Sequence, residues 1–272
     1  MTITRLSLGV ASLVVISSSA TAALVVDRGL PTANLNNISG ANRSNVTWGY
    51  GQSPEQYFTG DDFTLGATGD INNPTWQITK ITTWTTGGTA GDLNFFMGDR
   101  FSNVRLFVGG ASGISEAAAG NFALGQDQTD NANITFTRTT YQGGENYQTT
   151  SGAQAQLWKV EFTGLAIDVN PGDMVQLGIT GTARNAGFTW FNHASNAALS
   201  GSTQQGSDDL MRYHNLNDLV AGSGTWDSLG NGWDKSSDMN MLVEAQAVPE
   251  PATMTILGLG VAAFAARRKK KN

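Results

Sequence analysis

The side chains with catalytic or metal-binding potential are few and scattered in this chain. Its two histidines, His193 and His214, lie outside any His-Glu-x-x-His or cysteine-containing pattern, the spacing that would indicate zinc. The sequence contains no cysteine, which excludes thiol catalysis and iron–sulfur ligation. It also lacks Gly-x-Ser-x-Gly, the turn that presents a nucleophilic serine. The sequence therefore predicts no enzyme, no bound metal and no cofactor.

Acidic side chains are the remaining groups that could do chemistry. Asp61-Asp62, Asp127 with Asp130, and Asp208-Asp209 could offer oxygen ligands to calcium, but none follows the D-x-[DN]-x-[DN]-G order of a calcium loop. Two acids could also form a glycosidase pair, which requires carboxyl groups about 5–9 Å apart, a separation that sequence does not give. Solvated turns are the simpler interpretation of these acids.

Aromatic residues among Gly and Asn suggest a non-catalytic chemistry. Exposed indole rings can pack on the C–H faces of sugars, so Trp190, Trp226 and Trp233, late in the chain and in turn-rich surroundings, are the candidate glycan-binding residues. The alternative is that these large rings fill the core of the fold, where they bury a large area. Both interpretations stay open at the level of sequence.

The last 25 residues combine three features in a fixed order. Pro249-Glu250-Pro251 comes first, an uncharged stretch of 15 residues from Ala252 to Ala266 follows, and a basic cluster comes next. The prolines cannot join a helix interior and hold the chain extended, so a membrane-embedded enzyme could read the backbone there. A basic cluster behind a membrane-inserted run stays in the cytoplasm and leaves the main domain outside. The cluster consists of Arg267, Arg268, Lys269, Lys270 and Lys271.

This tail closely resembles the PEP-CTERM sorting signal. The resemblance implies that Pro249, Glu250 and Pro251 are the recognition motif and that the basic cluster is the stop-transfer end. It further implies export, recognition by an exosortase in the inner membrane, and association with bacteria that make exopolysaccharide and biofilm matrix. A plain C-terminal anchor that is never cut is the alternative.

The first 22 residues predict a secretory signal peptide. Arg5 supplies the positive charge, Leu6 to Ile16 form an apolar stretch, and Ala20-Thr21-Ala22 is a small-residue cleavage site that would leave Ala23 as the new N-terminus. An uncut N-terminal anchor is less consistent with the apolar stretch, because about 20 apolar residues are needed to span a bilayer. We therefore divide the chain into a signal peptide (1–22), a main domain (23–247) and a sorting tail (248–272).

The main domain is acidic and free of disulfides. It holds 10 Lys and Arg against 21 Asp and Glu, so its surface repels phosphate backbones and anionic lipid headgroups. This repulsion argues against nucleic acid as a partner and against peripheral membrane binding. The expected partners are the secretion machinery, an exosortase, the inner membrane during sorting, and exopolysaccharide.

Apolar residues in the main domain recur mostly with period two, as strands require. Trp158, Val160 and Phe162 alternate with Lys159 and Glu161, which is typical of a half-buried antiparallel strand. Further strands are predicted at 75–84, 104–108, 134–141, 174–179, 187–191 and 241–245. We also predict a turn at 170–173, a bulge or corner between residues 78 and 81, and long loops at 200–207 and 221–237. One helical turn at 115–119 and a helix at 207–220 are the two predicted helical segments.

These patterns predict an all-β fold: an antiparallel, jelly-roll-like β-sandwich flanked by a signal peptide and a C-terminal transmembrane sorting helix. The Asp61-Asp62-Phe63-Thr64-Leu65 segment, the strand from Trp76 to Ile81 and the later Pro-Gly-Asp turn resemble jelly-roll domains of PEP-CTERM proteins. The first functional hypothesis is a structural or matrix-interaction protein at the cell surface or in the extracellular matrix. A carbohydrate-binding module is the second, and a secreted hydrolase the third.

Overall fold

Strands dominate the computed structural model of the protein. It describes residues 21–31, 57–87, 95–139, 146–148, 154–195, 211–216, 219, 224–226 and 238–249. Within these ranges 60% of the residues lie in strands and 3% in helix. The prediction of an all-β fold is confirmed.

The strands and the short helix follow one another along the chain with turns and loops between them. They are β1 (Ala23–Asp27), β2 (Tyr57–Thr64), β3 (Thr75–Thr86), α1 (Met97–Arg100), β4 (Phe101–Gly110), β5 (Gly113–Asn121), β6 (Ile134–Arg138), β7 (Asn146–Gln148), β8 (Gln154–Gln156), β9 (Trp158–Phe162), β10 (Ile167–Val169), β11 (Met174–Ala183), β12 (Phe191–Asn192), β13 (Met211–Asn215), β14 (Gly224–Trp226) and β15 (Met241–Val248).

Two antiparallel sheets make up most of the described fold. The first has the order β1-β15-β3-β9-β6, with β10 and β12 also paired to β3, and the second has the order β14-β13-β2-β11-β4-β5. Apolar side chains from both sheets form one buried cluster, with Ile81, Val160 and Val243 from the first sheet and Leu106 and Leu177 from the second. The two sheets therefore pack face to face, as in a β-sandwich. The jelly-roll connectivity stays a prediction.

The predicted alternation in β9 is confirmed. Trp158, Val160 and Phe162 are buried in the core, whereas Lys159 and Glu161 are half-buried on the outer face. Glu161 forms ion pairs there with Lys159 at 2.8 Å and with Lys80 of β3 at 2.9 Å. The outer face of the first sheet is therefore held by charge pairs and the inner face by packing.

The predicted irregularity in β3 is a bulge. Glu244 of β15 pairs with Lys80, and the next residue, Ala245, pairs with Ile78, so Thr79 is the extra residue. On its other side, β3 pairs with β9 beyond the bulge and with β10 before it. The extra residue thus shifts the alternation of apolar side chains at the point where the partner of β3 changes from β10 to β9.

The turn predicted at 170–173 joins β10 to β11. Gly172 has a φ of 87°, which glycine adopts at no steric cost, and the Asp173 amide donates to the Asn170 carbonyl at 3.1 Å. Pro171 presets the first central angle of this turn. The prediction of the turn is confirmed.

Four predictions of local structure are wrong. Residues 115–119 lie within strand β5, where Ser115 and Glu116 pair with Val108 and Phe107 of β4. Residues 211–215, inside the predicted helix, form β13 between β2 and β14. Of the strand predicted at 187–191, only Phe191 pairs, and β14 lies inside a predicted loop. Sheet pairing overrides the weak local helix preference at 115–119 and 211–215.

The two ends of the sandwich differ in what they carry. At one end β1 begins, β15 ends, and the loop 66–74, the turn 170–173 and the β4–β5 hairpin connect the strands. We call it the terminus end. The opposite end, where α1 precedes β4 and where residues 122–127 follow β5, is called the helix end. The Gly98 amide of α1 donates to the Gln126 carbonyl at 2.8 Å at the helix end.

Candidate functional site

The predicted signal-cleavage site and the start of the predicted sorting motif both lie at the terminus end, on neighbouring strands. Ala23, the first residue after the predicted signal cleavage, pairs with Ala245 of β15. Thr21 and Ala22 before it are exposed. β15 continues to Val248, which pairs with Thr75, and the exposed Pro249 is the first residue beyond the sheet.

Pro249 explains why β15 stops where it does. Proline has no N–H to donate to a ladder, so the pairing with β3 cannot extend past Val248. The sorting motif therefore begins where the fold ends, without an intervening linker. Glu250, Pro251 and the basic residues Arg267 to Lys271 lie outside the described residues, as does Ala20.

A network of buried charges lies inside the sandwich. Arg28, directly after β1, is fully buried, and its Nη1 is 2.5 Å from Oδ2 of Asp61 in β2, which is also fully buried. The other terminal nitrogen, Nη2, donates to the Asp62 carbonyl at 2.6 Å. Asp238, just before β15, places a carboxylate oxygen 3.9 Å from Arg28 Nη1. One guanidinium thus connects the first strand, the second sheet and the segment that leads into the last strand.

Backbone and amide groups complete this network. The Met239 amide donates to Asp61 Oδ2 at 2.5 Å, and Asn240 donates through Nδ2 to the Arg28 carbonyl at 2.8 Å. Asp62 faces the other side of β2, where Arg212 of β13 approaches its Oδ2 at 2.6 Å. The interpretation of Asp61-Asp62 as a solvated turn is wrong, because both residues lie in β2 and are buried and ion-paired.

Burial also sets the protonation of this network. It raises the pKa of Asp61 to about 8, and the Asp238 carboxylate acts in the same direction, whereas Arg28 and the Met239 amide oppose the rise. Two carboxyl groups share one guanidinium in a dry interior, so holding one proton lowers the buried negative charge.

This raised pKa predicts a pH-dependent difference between the wild type and Asp61→Asn. Unfolded Asp61 has a pKa of about 3.9, so it loses its proton at lower pH than the folded carboxyl does. The contribution of Asp61 to stability is therefore fully present below about pH 4 and is lost as the pH rises toward 8. The asparagine side chain of the variant does not titrate. Urea unfolding should therefore show that the free energy of unfolding of Asp61→Asn, relative to that of the wild type, is higher at pH 8 than at pH 5. The same difference between the two proteins at both pH values would contradict the raised pKa.

Both histidines are buried and contact neighbouring side chains inside the protein. His193 is fully buried, its Nδ1 lies 2.6 Å from Oδ1 of Asn240, and burial lowers its pKa to about 4. Because Nδ2 of Asn240 donates to the Arg28 carbonyl, Oδ1 of Asn240 accepts a hydrogen bond from the Nδ1–H of His193. His214 of β13 is also buried and stacks on Phe58 with ring centres 5.1 Å apart. Within the described ranges no three His, Asp or Glu side chains come together in a way that could hold a metal ion.

Asp127 and Asp130 hold loops at the helix end and nearby. Asp127 accepts the Met97 amide at the start of α1 at 2.9 Å. Asp130 accepts the Asn121 amide at 2.7 Å, and the hydrogen bonds from Asn121 hold the pKa of Asp130 below its usual range. Asp208-Asp209 lies outside the described residues.

The structure corrects the sugar-stacking prediction for one of the three tryptophans. Trp190 is 1% exposed, its ring packs edge-on against Phe101 at 5.1 Å, and its Nε1 donates to Asn192 at 3.1 Å. A ring enclosed in the core cannot present a face to a sugar, so the prediction for Trp190 is wrong. Trp226 ends strand β14, at the edge of the second sheet, and Trp233 lies outside the described residues.

A groove of about 340 Å³ opens between edge strand β5 and the segment that joins β9 to β10. Its polar lining comprises Ser115, Glu116, Asn131, Asn133 and Thr163. Apolar side chains, including Val108, Leu165 and Ile167, line the remainder. Sequence inspection missed this groove, because its walls come from four separate segments and carry no motif.

Most of the polar groups in this groove are already engaged with the protein. Glu116 accepts from Arg105 Nε at 2.5 Å, Asn131 donates to the Ala119 carbonyl at 2.9 Å, and Thr163 donates to the Asn133 carbonyl at 3.2 Å. The Asn133 side chain lies against the backbone of Gly164, and Asn133 is exposed. Hydroxyl, amide and carboxylate groups over an apolar floor can bind a polar, uncharged ligand.

Comparison with known proteins identifies the tail. The model of the PEP-CTERM protein-sorting motif matches residues 247–269, which confirms the prediction made from Pro249, Glu250, Pro251 and the features that follow them. No curated protein and no solved structure matches the chain. Among the described residues no helix has the length and apolar character needed to cross a membrane, and the predicted span at 252–266 lies outside them.

Proposed function

We propose that this chain, exported and recognised by an exosortase through its PEP-CTERM motif, has a structural or interaction role at the cell surface or in an exopolysaccharide matrix. The observation that carries the proposal is the match to the sorting motif, whose Pro-Glu-Pro sequence begins directly after the last strand. A main domain joined directly to a sorting signal is delivered to the outside as a folded unit.

The chemistry of the chain supports a role without catalysis. The sequence offers no cysteine or serine nucleophile motif. The buried His193 and Asp61 are used in contacts inside the sandwich. A network of this kind fixes strands to one another, as a matrix component exposed to the environment requires.

Carbohydrate binding is the second candidate function, and the groove beside β5 favours it over sugar stacking on Trp190. Amide and hydroxyl groups such as those of Asn133 and Thr163 match sugar hydroxyls in hydrogen-bonding character. Glu116 and the acidic charge of the main domain favour neutral sugars over anionic ones.

Retention of the exported protein on the producer's own exopolysaccharide tests both candidates. We expect the wild type, purified from culture medium, to be retained on that polysaccharide. If the groove binds it, Asn133→Ala should weaken retention by about fivefold or more, since a polar contact to a ligand is worth roughly 1 kcal/mol or more. The melting temperature should stay nearly unchanged, because Asn133 is exposed.

Asn72→Ala is the matched control for this experiment. It makes the same chemical change at an exposed position outside the groove. Equal retention of both variants would remove the groove from the proposal and leave the structural role. No retention of the wild type on any extracellular polysaccharide would contradict the matrix role itself.

A further inference from the structure

The tether between the sandwich and the membrane segment is very short. Val248 is the last paired residue, and the uncharged run begins four positions later at Ala252. A fully extended chain advances at most about 3.6 Å per residue, so the end of β15 lies within roughly 14 Å of the first residue of that run.

The length of the apolar run shortens this distance further. A helix rises about 1.5 Å per residue, so the 15 residues from Ala252 to Ala266 would cover roughly 22 Å of a hydrocarbon core about 30 Å thick. A run that is too short draws its flanking residues into the headgroup layer. The proline motif and the terminus end of the sandwich are therefore drawn toward the bilayer.

The terminus end carries two exposed apolar side chains. Ile71, in the loop 66–74, is 92% exposed, and Leu24 at the start of β1 is 51% exposed. Hydrogen bonds fix the loop around Ile71: the Asn72 amide donates to Asp70 Oδ1 at 2.8 Å, and Asn73 Nδ2 donates to Asp70 Oδ2 at 2.7 Å. Ile71 is thus displayed on an ordered turn next to the point where the tail leaves.

The negative charge at the terminus end determines which lipid surfaces this end can approach. Asp70, Asp168 and Asp173 lie there, and among the described residues of segments 21–24, 65–76, 109–114, 167–175 and 245–249 there is no Lys or Arg. An anionic surface is repelled, whereas zwitterionic headgroups accept this end without that cost.

We propose that the terminus end rests on the outer surface of the bilayer while the tail anchors the chain, with Ile71 and Leu24 in a zwitterionic headgroup layer. The proposal rests on membrane anchoring by the tail. The tether supplies a high local concentration, so two apolar side chains are enough to orient the sandwich. The sorting enzyme then meets its motif in a fixed orientation.

The absence of cysteine makes this proposal directly measurable. Ile71→Cys in the full chain, labelled with a fluorophore and reconstituted in phosphatidylcholine vesicles, reports contact with lipids that carry a headgroup quencher. Leu124→Cys is the matched control, because Leu124 is 71% exposed and lies at the helix end, one ten-residue strand away or roughly 33 Å. We expect quenching at position 71 to exceed that at position 124 by about threefold or more.

Two further experiments test whether the short tether and the lipid charge determine the quenching at position 71. A 12-residue Gly/Ser spacer between Val248 and Pro249, with a mean span of about 20 Å, should bring quenching at position 71 down toward that at position 124. Phosphatidylglycerol in the vesicles should lower it as well. Co-flotation with the vesicles but equal quenching at the two positions would overturn this proposal alone. Failure to co-float would overturn membrane anchoring, and the proposal with it.

Discussion

Replacement of Pro249, Glu250 and Pro251 by alanine should leave the precursor in the inner membrane of a host that carries an exosortase. Val248 is locked in the sheet by its pairing with Thr75, so the enzyme can read extended chain only beyond it. Alanine would let the chain enter a helix continuous with the apolar run, which removes the rigid extended segment. Fractionation and immunoblotting should show nearly complete loss of the released form and accumulation of the larger, membrane-bound form.

Pro171→Ala is the control for the loss of proline. It lies in an exposed turn at the same end of the sandwich and should be released as the wild type is, with a small change in stability at most. Normal release of the triple-alanine variant would mean that the tail is an anchor or is cut without reference to the motif.

Arg28→Ala should cost about 3–5 kcal/mol of the free energy of unfolding, the usual result of removing one partner of a buried ion pair. At neutral pH the two buried carboxyl groups of Asp61 and Asp238 hold one proton between them, so the variant leaves one buried negative charge without the guanidinium that lies 2.5 Å from Asp61 and 3.9 Å from Asp238. That cost is a large part of the roughly 5–15 kcal/mol by which typical domains are stable. Urea unfolding of the exported protein followed by circular dichroism measures it.

Two further variants serve as controls for this prediction. Arg105→Ala breaks an equally short pair with Glu116, but these side chains are 27% and 41% exposed, so the loss should be about 1 kcal/mol or less. Arg28→Met combined with Asp61→Leu removes the guanidinium together with the carboxyl group nearest to it, which leaves one buried carboxyl group in place of two, and should be more stable than Arg28→Ala alone. Equal losses for Arg28→Ala and Arg105→Ala would show that burial of the first pair does not matter to stability.

The parts of the fold that sequence could predict are those with local signals. The alternation in β9 shows which residues face the core, and the phase slip between Ile78 and Ile81 marks the bulge at Thr79. The turn at 170–173 follows from the angles that proline and glycine prefer. Each of these signals is contained within a short stretch of chain.

The buried charge network could not be predicted, because its partners are distant in sequence. Arg28 and Asp61 are 33 residues apart, and Asp61 and Met239 are 178 apart. Two consecutive aspartates are usually exposed, which is why they indicate a turn when viewed without their partners. Only the pairing of β2 within the sheet brings them to the guanidinium.

The burial of Trp190 depends on a residue elsewhere in the chain. At Gly181 of β11 a Cβ atom would lie 2.4 Å from Trp190 Cε3, so the ring occupies space that only glycine leaves open. Glycine and asparagine near Trp190 in sequence suggested that the ring is exposed. The glycine that makes room for the ring, Gly181, lies earlier in the chain on a paired strand. The sorting motif was predictable because all its parts are contiguous, whereas the groove beside β5 was not.

The pairing of the first strand with the last also constrains the order of events during export. β15 lies between β1 and β3, so the first sheet cannot close until residues 241–248 have been translocated. By then the sorting motif, which follows directly, is at the exit of the translocation channel. Until then the earlier strands have an unpaired edge, which exposes them to chaperones and proteases. Completion of folding and arrival of the sorting signal are therefore nearly simultaneous, and an enzyme that acts on the signal meets a chain whose core has just become protected.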